Sequence, residues 1–131
     1  MAGEVTVTTV LPVDPEQAFS LFTTKIDRWW VRPAQTVIRF EGDQLLAADE
    51  SGVRSIARII NWDPPGRLLL EWSGPNGQPG DQVAIEFEPE GRGTRVTVRH
   101  LRSGLAASDA SAAVLGLFWA EVLRRTLDRA R

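Results

Sequence analysis

Two cleanly alternating runs, Gln82 to Glu88 and Thr94 to His100, are separated only by the turn Glu90-Gly91-Arg92-Gly93, and a stretch of helical period follows them. In the first run Val83, Ile85 and Phe87 oppose Gln82, Glu86 and Glu88. In the second Val96, Val98 and His100 oppose Arg95, Thr97 and Arg99. Successive side chains of a strand point to opposite faces, so the pair predicts an antiparallel hairpin with one apolar and one wet face. Downstream, Leu115, Phe118, Trp119, Val122, Leu123 and Leu127 fall at i, i+3, i+4, i+7, i+8 and i+12. That is the stripe of one long helix, over roughly 110–129, with Ser108 or Asp109 as its cap. Glu121, Arg124, Arg125 and Asp128 face away from the stripe at spacings that permit ion pairs.

The rest of the chain reads as more strands and short helices. Val5 to Val13 is rich in Val and Thr and predicts a first strand. It stops at Asp14, a good N-cap, with Pro15 at the first helical position and Gln17 where a capping box needs it. Val13 and Ala18 suit a hydrophobic staple, and Ala18, Phe19 and Phe22 give a short apolar stripe. Thr24 is placed to cap a second short helix carrying Ile26, Trp29 and Trp30, which Pro33 limits. Strands are expected at Thr36 to Glu41, Gln44 to Ala48, Val53 to Trp62 and Arg67 to Ser73, with a turn at Pro64-Pro65-Gly66 and a glycine- and proline-rich loop from Gly74 to Gly80. Near Ile59-Ile60 both phases are apolar, so a bulge is expected. Counting in twos from Arg54 and Arg58 puts Trp62 on the outward face.

At 131 residues the chain fits a single domain, 1–131, with room for one core. There is no cysteine, which removes disulfides and thiolate chemistry. The net charge of −2 argues against a nucleic-acid partner, which would need a basic footprint. Arg124, Arg125, Arg129 and Arg131 crowd the last helix and suit its C-terminal dipole as a solvated face. The start of the chain lacks the basic and apolar regions of a signal peptide, and no apolar run approaches the roughly 20 residues of a membrane span. The expected location is cytoplasmic.

Few residues are equipped for catalysis. One histidine and no cysteine cannot build the usual zinc shell, no run resembles a calcium loop, and neither metal nor cofactor is expected. His100 shares a face with Val96 and Val98. It is the candidate catalytic residue, a general base assisted by a carboxylate such as Glu71; as a polar anchor for a ligand it has Arg39 as an alternative. A satisfied structural histidine at a strand end is the other reading.

The order strand, two short helices, about six strands, one long helix carries several family-like motifs. They are Val13-Asp14-Pro15-Glu16-Gln17-Ala18-Phe19, the pair Trp29-Trp30, Asp63-Pro64-Pro65-Gly66-Arg67-Leu68 running to Trp72, Thr94-Arg95-Val96-Thr97-Val98-Arg99-His100, and Gly116-Leu117-Phe118-Trp119. On these the chain resembles the START-like (SRPBCC) superfamily, in particular bacterial proteins similar to the activator of heat-shock-protein-90 ATPase. The resemblance implies an α+β helix-grip fold, also that of the birch-pollen allergen: a curved antiparallel sheet of six to seven strands around the long C-terminal helix, with two short helices after strand one. It also implies a cavity between sheet and helix for an apolar molecule. The eukaryotic activators carry an additional N-terminal domain for which this chain has no room, so co-chaperone activity is not expected from the likeness.

Within that frame Phe22, Trp29, Trp30, Phe40, Trp72, Phe87, His100, Phe118 and Val122 are the candidate ligand-binding residues. The same aromatics also suit a filled core. Trp29 and Trp30 point about 100° apart on a helix, so they cannot share one core site. Binding of a small hydrophobic or amphipathic ligand is the leading expectation. The alternatives are a polyketide cyclase or dehydratase, which the superfamily also contains, and an interaction module, a homodimer or a protein partner, with Trp62 as its marker.

Overall fold

The computed structural model describes residues 4–23, 37–72, 80–102 and 109–130. In chain order the elements are β1 (Glu4–Leu11), α1 (Pro15–Phe22), β2 (Val37–Glu41), β3 (Gln44–Asp49), β4 (Gly52–Asp63), β5 (Arg67–Trp72), β6 (Asp81–Glu90), β7 (Gly93–Leu101) and α2 (Asp109–Ala130). The strands form one antiparallel sheet in the order β1-β7-β6-β5-β4-β3-β2. From β2 to β7 each strand pairs with its sequence neighbour, and β1 returns to β7 with Val5 opposite His100 and Leu11 opposite Thr94. The expected second short helix with Trp29 and Trp30, the loop over 73–79 and the cap at Ser108 lie outside the described residues; Asp109 is already helical.

The capping box is formed. Asp14 Oδ1 accepts from the Gln17 amide at 2.8 Å, and Gln17 Oε1 accepts from the Asp14 amide at 3.4 Å. Two otherwise orphaned donors are thereby satisfied, which starts α1 and aims Ala18, Phe19, Leu21 and Phe22 into the core. Thr94, buried on β7, donates to the Val13 carbonyl at 2.8 Å and ties the lead-in of α1 to the sheet.

One face of the sheet is inner. It carries Leu11, Leu68, Leu70, Val83, Ile85, Val96 and Val98, all buried, and α2 lays Leu115, Trp119, Val122 and Leu123 over them. The other face is a ladder of ions: Arg58 with Glu71, Arg99 with Glu86 and Glu4, Arg95 with Glu90. The alternation read from β6 and β7 is therefore the division between core and solvent. Along the exposed side of α2, Arg124 bridges Glu121 and Asp128, and Arg125 also reaches Glu121.

The bulge at Ile59-Ile60 is present and has a consequence for register. Ile59 pairs with Leu70 and Asn61 with Leu69, which leaves Ile60 as the extra residue. Trp62 pairs with Leu68 and so shares the inner face with Leu68, Leu70 and Ile59. This corrects the outward placement of Trp62: counting in twos fails once an unpaired residue intervenes. A second irregularity at Leu45/Leu46 makes Ile56 the extra residue of β4 against β3.

Candidate functional site

Aromatic side chains gather at the two ends of the inner face. At the end where β5 meets β6 through Trp72 and Asp81, the rings of Trp72, Phe118, Trp119 and His100 pack together, with centroids 5.0–6.5 Å apart. At the opposite end Phe22 meets Phe87, Phe87 meets Phe19, Phe19 meets Trp62 at 5.1 Å and Trp62 meets Phe40 at 6.3 Å. Strand geometry separates the two clusters and α1 and α2 cover them, α1 reaching the second and α2 the first.

The first end is closed and polar at its centre. His100 Nε2 lies 2.7 Å from Asp81 Oδ2, and Trp119 Nε1 donates to His100 Nδ1 at 2.9 Å. All three side chains are buried. An indole nitrogen can only donate, so Nδ1 must be the accepting, unprotonated nitrogen. The proton of the neutral ring then sits on Nε2 and is donated to the Asp81 carboxylate. Burial pushes His100 below its ordinary range; the hydrogen bond and charge of Asp81 pull the other way, and Arg102 adds to the lowering.

The second end is open. Phe40, Ile59 and Trp62, with Gly42 and Asp43, line a recess of about 310 Å³. Across the Phe19–Trp62 contact, Glu16, Phe19, Pro64 and Pro65 line another of about 220 Å³. Trp62 keeps 47 % of its surface exposed although it lies on the inner face. The rim is set by the two-residue turn between β2 and β3. Gly42 takes φ +60°, a conformation that a side chain would strain, and the Asp43 carbonyl accepts from the Ile59 amide at 2.6 Å beside the bulge.

Of the candidate ligand-binding residues, Phe22, Trp72, Phe87 and Val122 are buried and Phe118 is partly buried against the core. Phe40 borders the recess of about 310 Å³, while Trp29 and Trp30 lie outside the described residues. Two polar assignments are corrected. Glu71 precedes the inward Trp72, so it faces outward to Arg58, and Asp81 takes the place beside His100. Arg39 likewise points outward and pairs with Glu41 at 3.0 Å. Phe19, Ile59, Trp62 and Asp43 were not among the candidates; the expected bulge was the signal that could have turned Trp62 inward. Among the described residues no group of three or more His, Asp or Glu could hold a metal ion, and no helix is long and apolar enough to cross a membrane.

The fold and the sequence both have relatives. Among solved structures, CalU16 from Micromonospora echinospora is similar at 20 % identity and a TM-score of 0.69, over 95 % of this chain and 73 % of its own. The Aha1 dimer from Colwellia psychrerythraea is similar at 14 % identity and a TM-score of 0.69, over 98 % of this chain and 96 % of its own. An AHSA1-like protein from Aeromonas hydrophila reaches a TM-score of 0.72 at 15 % identity, over 96 % and 90 % of the two chains. At such identities the likeness is one of fold. Comparison with curated proteins finds no match. The profile of the family described as Activator of Hsp90 ATPase homolog 1-like protein matches residues 12–130. With its sheet gripping α2 and that profile spanning nearly its whole length, the chain belongs to the family of Activator of Hsp90 ATPase homolog 1-like proteins.

Proposed function

We propose that the protein binds a small hydrophobic or amphipathic molecule on the inner, helix-covered face of its sheet. The observation that carries this reading is Trp62, held edge-on by Phe19 and Phe40 yet half-exposed over a recess of about 310 Å³. A large apolar ring kept in water on the core side of a sheet is an unused contact surface, and ligand sites are concave and mostly apolar. Binding is favoured over catalysis because the one histidine has both ring nitrogens engaged by Asp81 and Trp119.

The chain has five tryptophans and no tyrosine, so intrinsic fluorescence reports on the indoles alone. Small apolar molecules should give a saturable fluorescence change and a matching rise in melting temperature, as linkage requires of a ligand of the native state. Trp62→Ala should weaken binding by about tenfold or more while the protein stays folded. A panel of fatty acids, sterols and polyketide-like aromatics that moves neither signal would remove the reading.

A homodimer is favoured by a separate observation. Val114 and Leu117 on α2 are exposed, Leu117 by 73 %, and the Colwellia relative is a dimer. Light scattering that returns a monomer mass at high concentration would dispose of it.

A further inference from the structure

Resting on the ligand-binding reading above, we infer that the molecule held at the Trp62 end is a cation: a small amphiphile whose apolar body carries an amine or quaternary ammonium group. Among the described residues, the charged side chains that line the two recesses are both acidic, Asp43 in one and Glu16 in the other. The aromatic line Phe40–Trp62–Phe19 runs between them.

The distribution of the arginines supports the assignment. Arg39, Arg58, Arg95 and Arg99 alternate onto the outer face, where each has a carboxylate partner. Asp43 and Glu16 make no ion pair among the described residues, unlike those outer carboxylates. These ion pairs thus lie on the outer face, while Asp43, in the turn between β2 and β3, and Glu16, on α1, stand at the two recesses without an ion pair among the described residues. An anionic amphiphile would meet repulsion there. A cation would meet Asp43 in one recess or Glu16 in the other, together with the negative faces of aromatic rings, of which an indole is the strongest acceptor. The recess is at the small end of the range for ligand pockets, which suits a short chain or a single ring system in preference to a full lipid.

Hydrogen bonding and charge can be separated with three probes of equal chain length: octyltrimethylammonium, n-octanol and octanoate, each below its micellar concentration. Affinities are read by tryptophan fluorescence and confirmed by thermal shift. The ammonium compound should bind about three- to tenfold more tightly than octanol, with octanoate weakest, and the advantage should shrink as salt is added. Asp43→Asn with Glu16→Gln should erase the advantage and leave the octanol affinity unchanged. Both residues are exposed, so the double variant is expected to fold. If octanol matches the ammonium compound, or octanoate exceeds it, the cation assignment is overturned while ligand binding stands. An ammonium preference that survives the double variant overturns the role of these two carboxylates. If none of the three probes moves either signal, the ligand-binding reading itself fails at this end.

Discussion

The imidazole of His100 is held by two partners that leave it one tautomer, and protonation would set a second N–H against the indole N–H of Trp119. Stability should therefore depend on pH in a calculable direction. Burial depresses the folded-state pKa below the ordinary value of 6.5, so below that value the unfolded chain takes up a proton that the folded chain refuses. The stabilisation is fully present above pH 6.5 and is lost as pH falls towards the depressed folded-state value, by at most about 1.4 kcal/mol per pH unit. His100 is the chain's one histidine, and ordinary carboxylates titrate near 4; Glu121 is held lower still, at about 2, chiefly by its hydrogen bond to Arg124. Melting temperatures taken between pH 7.5 and 5 should fall for the native sequence and stay flatter for His100→Gln. Equal slopes would mean that the histidine is not the group responsible. Nitrogen chemical shifts of the single imidazole offer a direct check on the tautomer, since they should report a proton on Nε2 and none on Nδ1.

The elements differ in how far local rules determine them. The start of α1 is wholly local, a cap with its reciprocal partner three residues on, so it was legible in the sequence; Asp14→Ala should cost about 1 kcal/mol in a chemical denaturation curve. The faces of β6, β7 and α2 were legible for the same reason, because unbroken periods of two and 3.6 need no knowledge of the partner. The site was not, because it depends on what breaks a period. Ile60 is one unpaired residue, and its insertion puts Trp62 on the inner face with Ile59 where counting from Arg58 puts it outside. Glu71 was misplaced beside His100 although its neighbour Trp72 already implied the outer face, and Asp81 could be found only from the pairing of β6 with β7 and β5. The bulge register has its own test. Ile60→Thr should change stability by no more than about 0.5 kcal/mol, since the residue is unpaired and 43 % exposed. Ile59→Thr places a hydroxyl in the apolar recess and should weaken ligand binding as well. A reversed order of effects would show that the bulge sits elsewhere. Gly93 poses a third kind of constraint. A Cβ there would collide with the Leu11 carbonyl oxygen where β1 leaves the sheet, so Gly93→Ala should destabilise by forcing backbone apart.

The grip closes on one end of the inner face and stays open at the other, and this division should separate stability from binding. Leu68 and Trp72 mark the two ends on β5, and at strand rise they are roughly 13 Å apart. At the closed end Trp119 contributes an indole N–H from α2 to a histidine of β7, whose other nitrogen meets an aspartate of β6. That network ties the long helix to two strands through groups which have no water to turn to. Trp119→Phe keeps most of the ring's packing but leaves His100 Nδ1 without its donor, a loss of about 1–3 kcal/mol with little effect on ligand affinity. Trp62→Ala should do the reverse, since its ring is half in solvent and among the described aromatic rings contacts Phe19 and Phe40. Sites this far apart, with no partner in common among the described residues, are expected to be additive within about 0.5 kcal/mol. The double variant should accordingly melt where Trp119→Phe melts, apart from the small direct cost of losing Trp62, and bind as weakly as Trp62→Ala. A double variant whose affinity falls well below that of Trp62→Ala would mean that the closed end positions the open one, through the inner face of β5 and β6 that both clusters share.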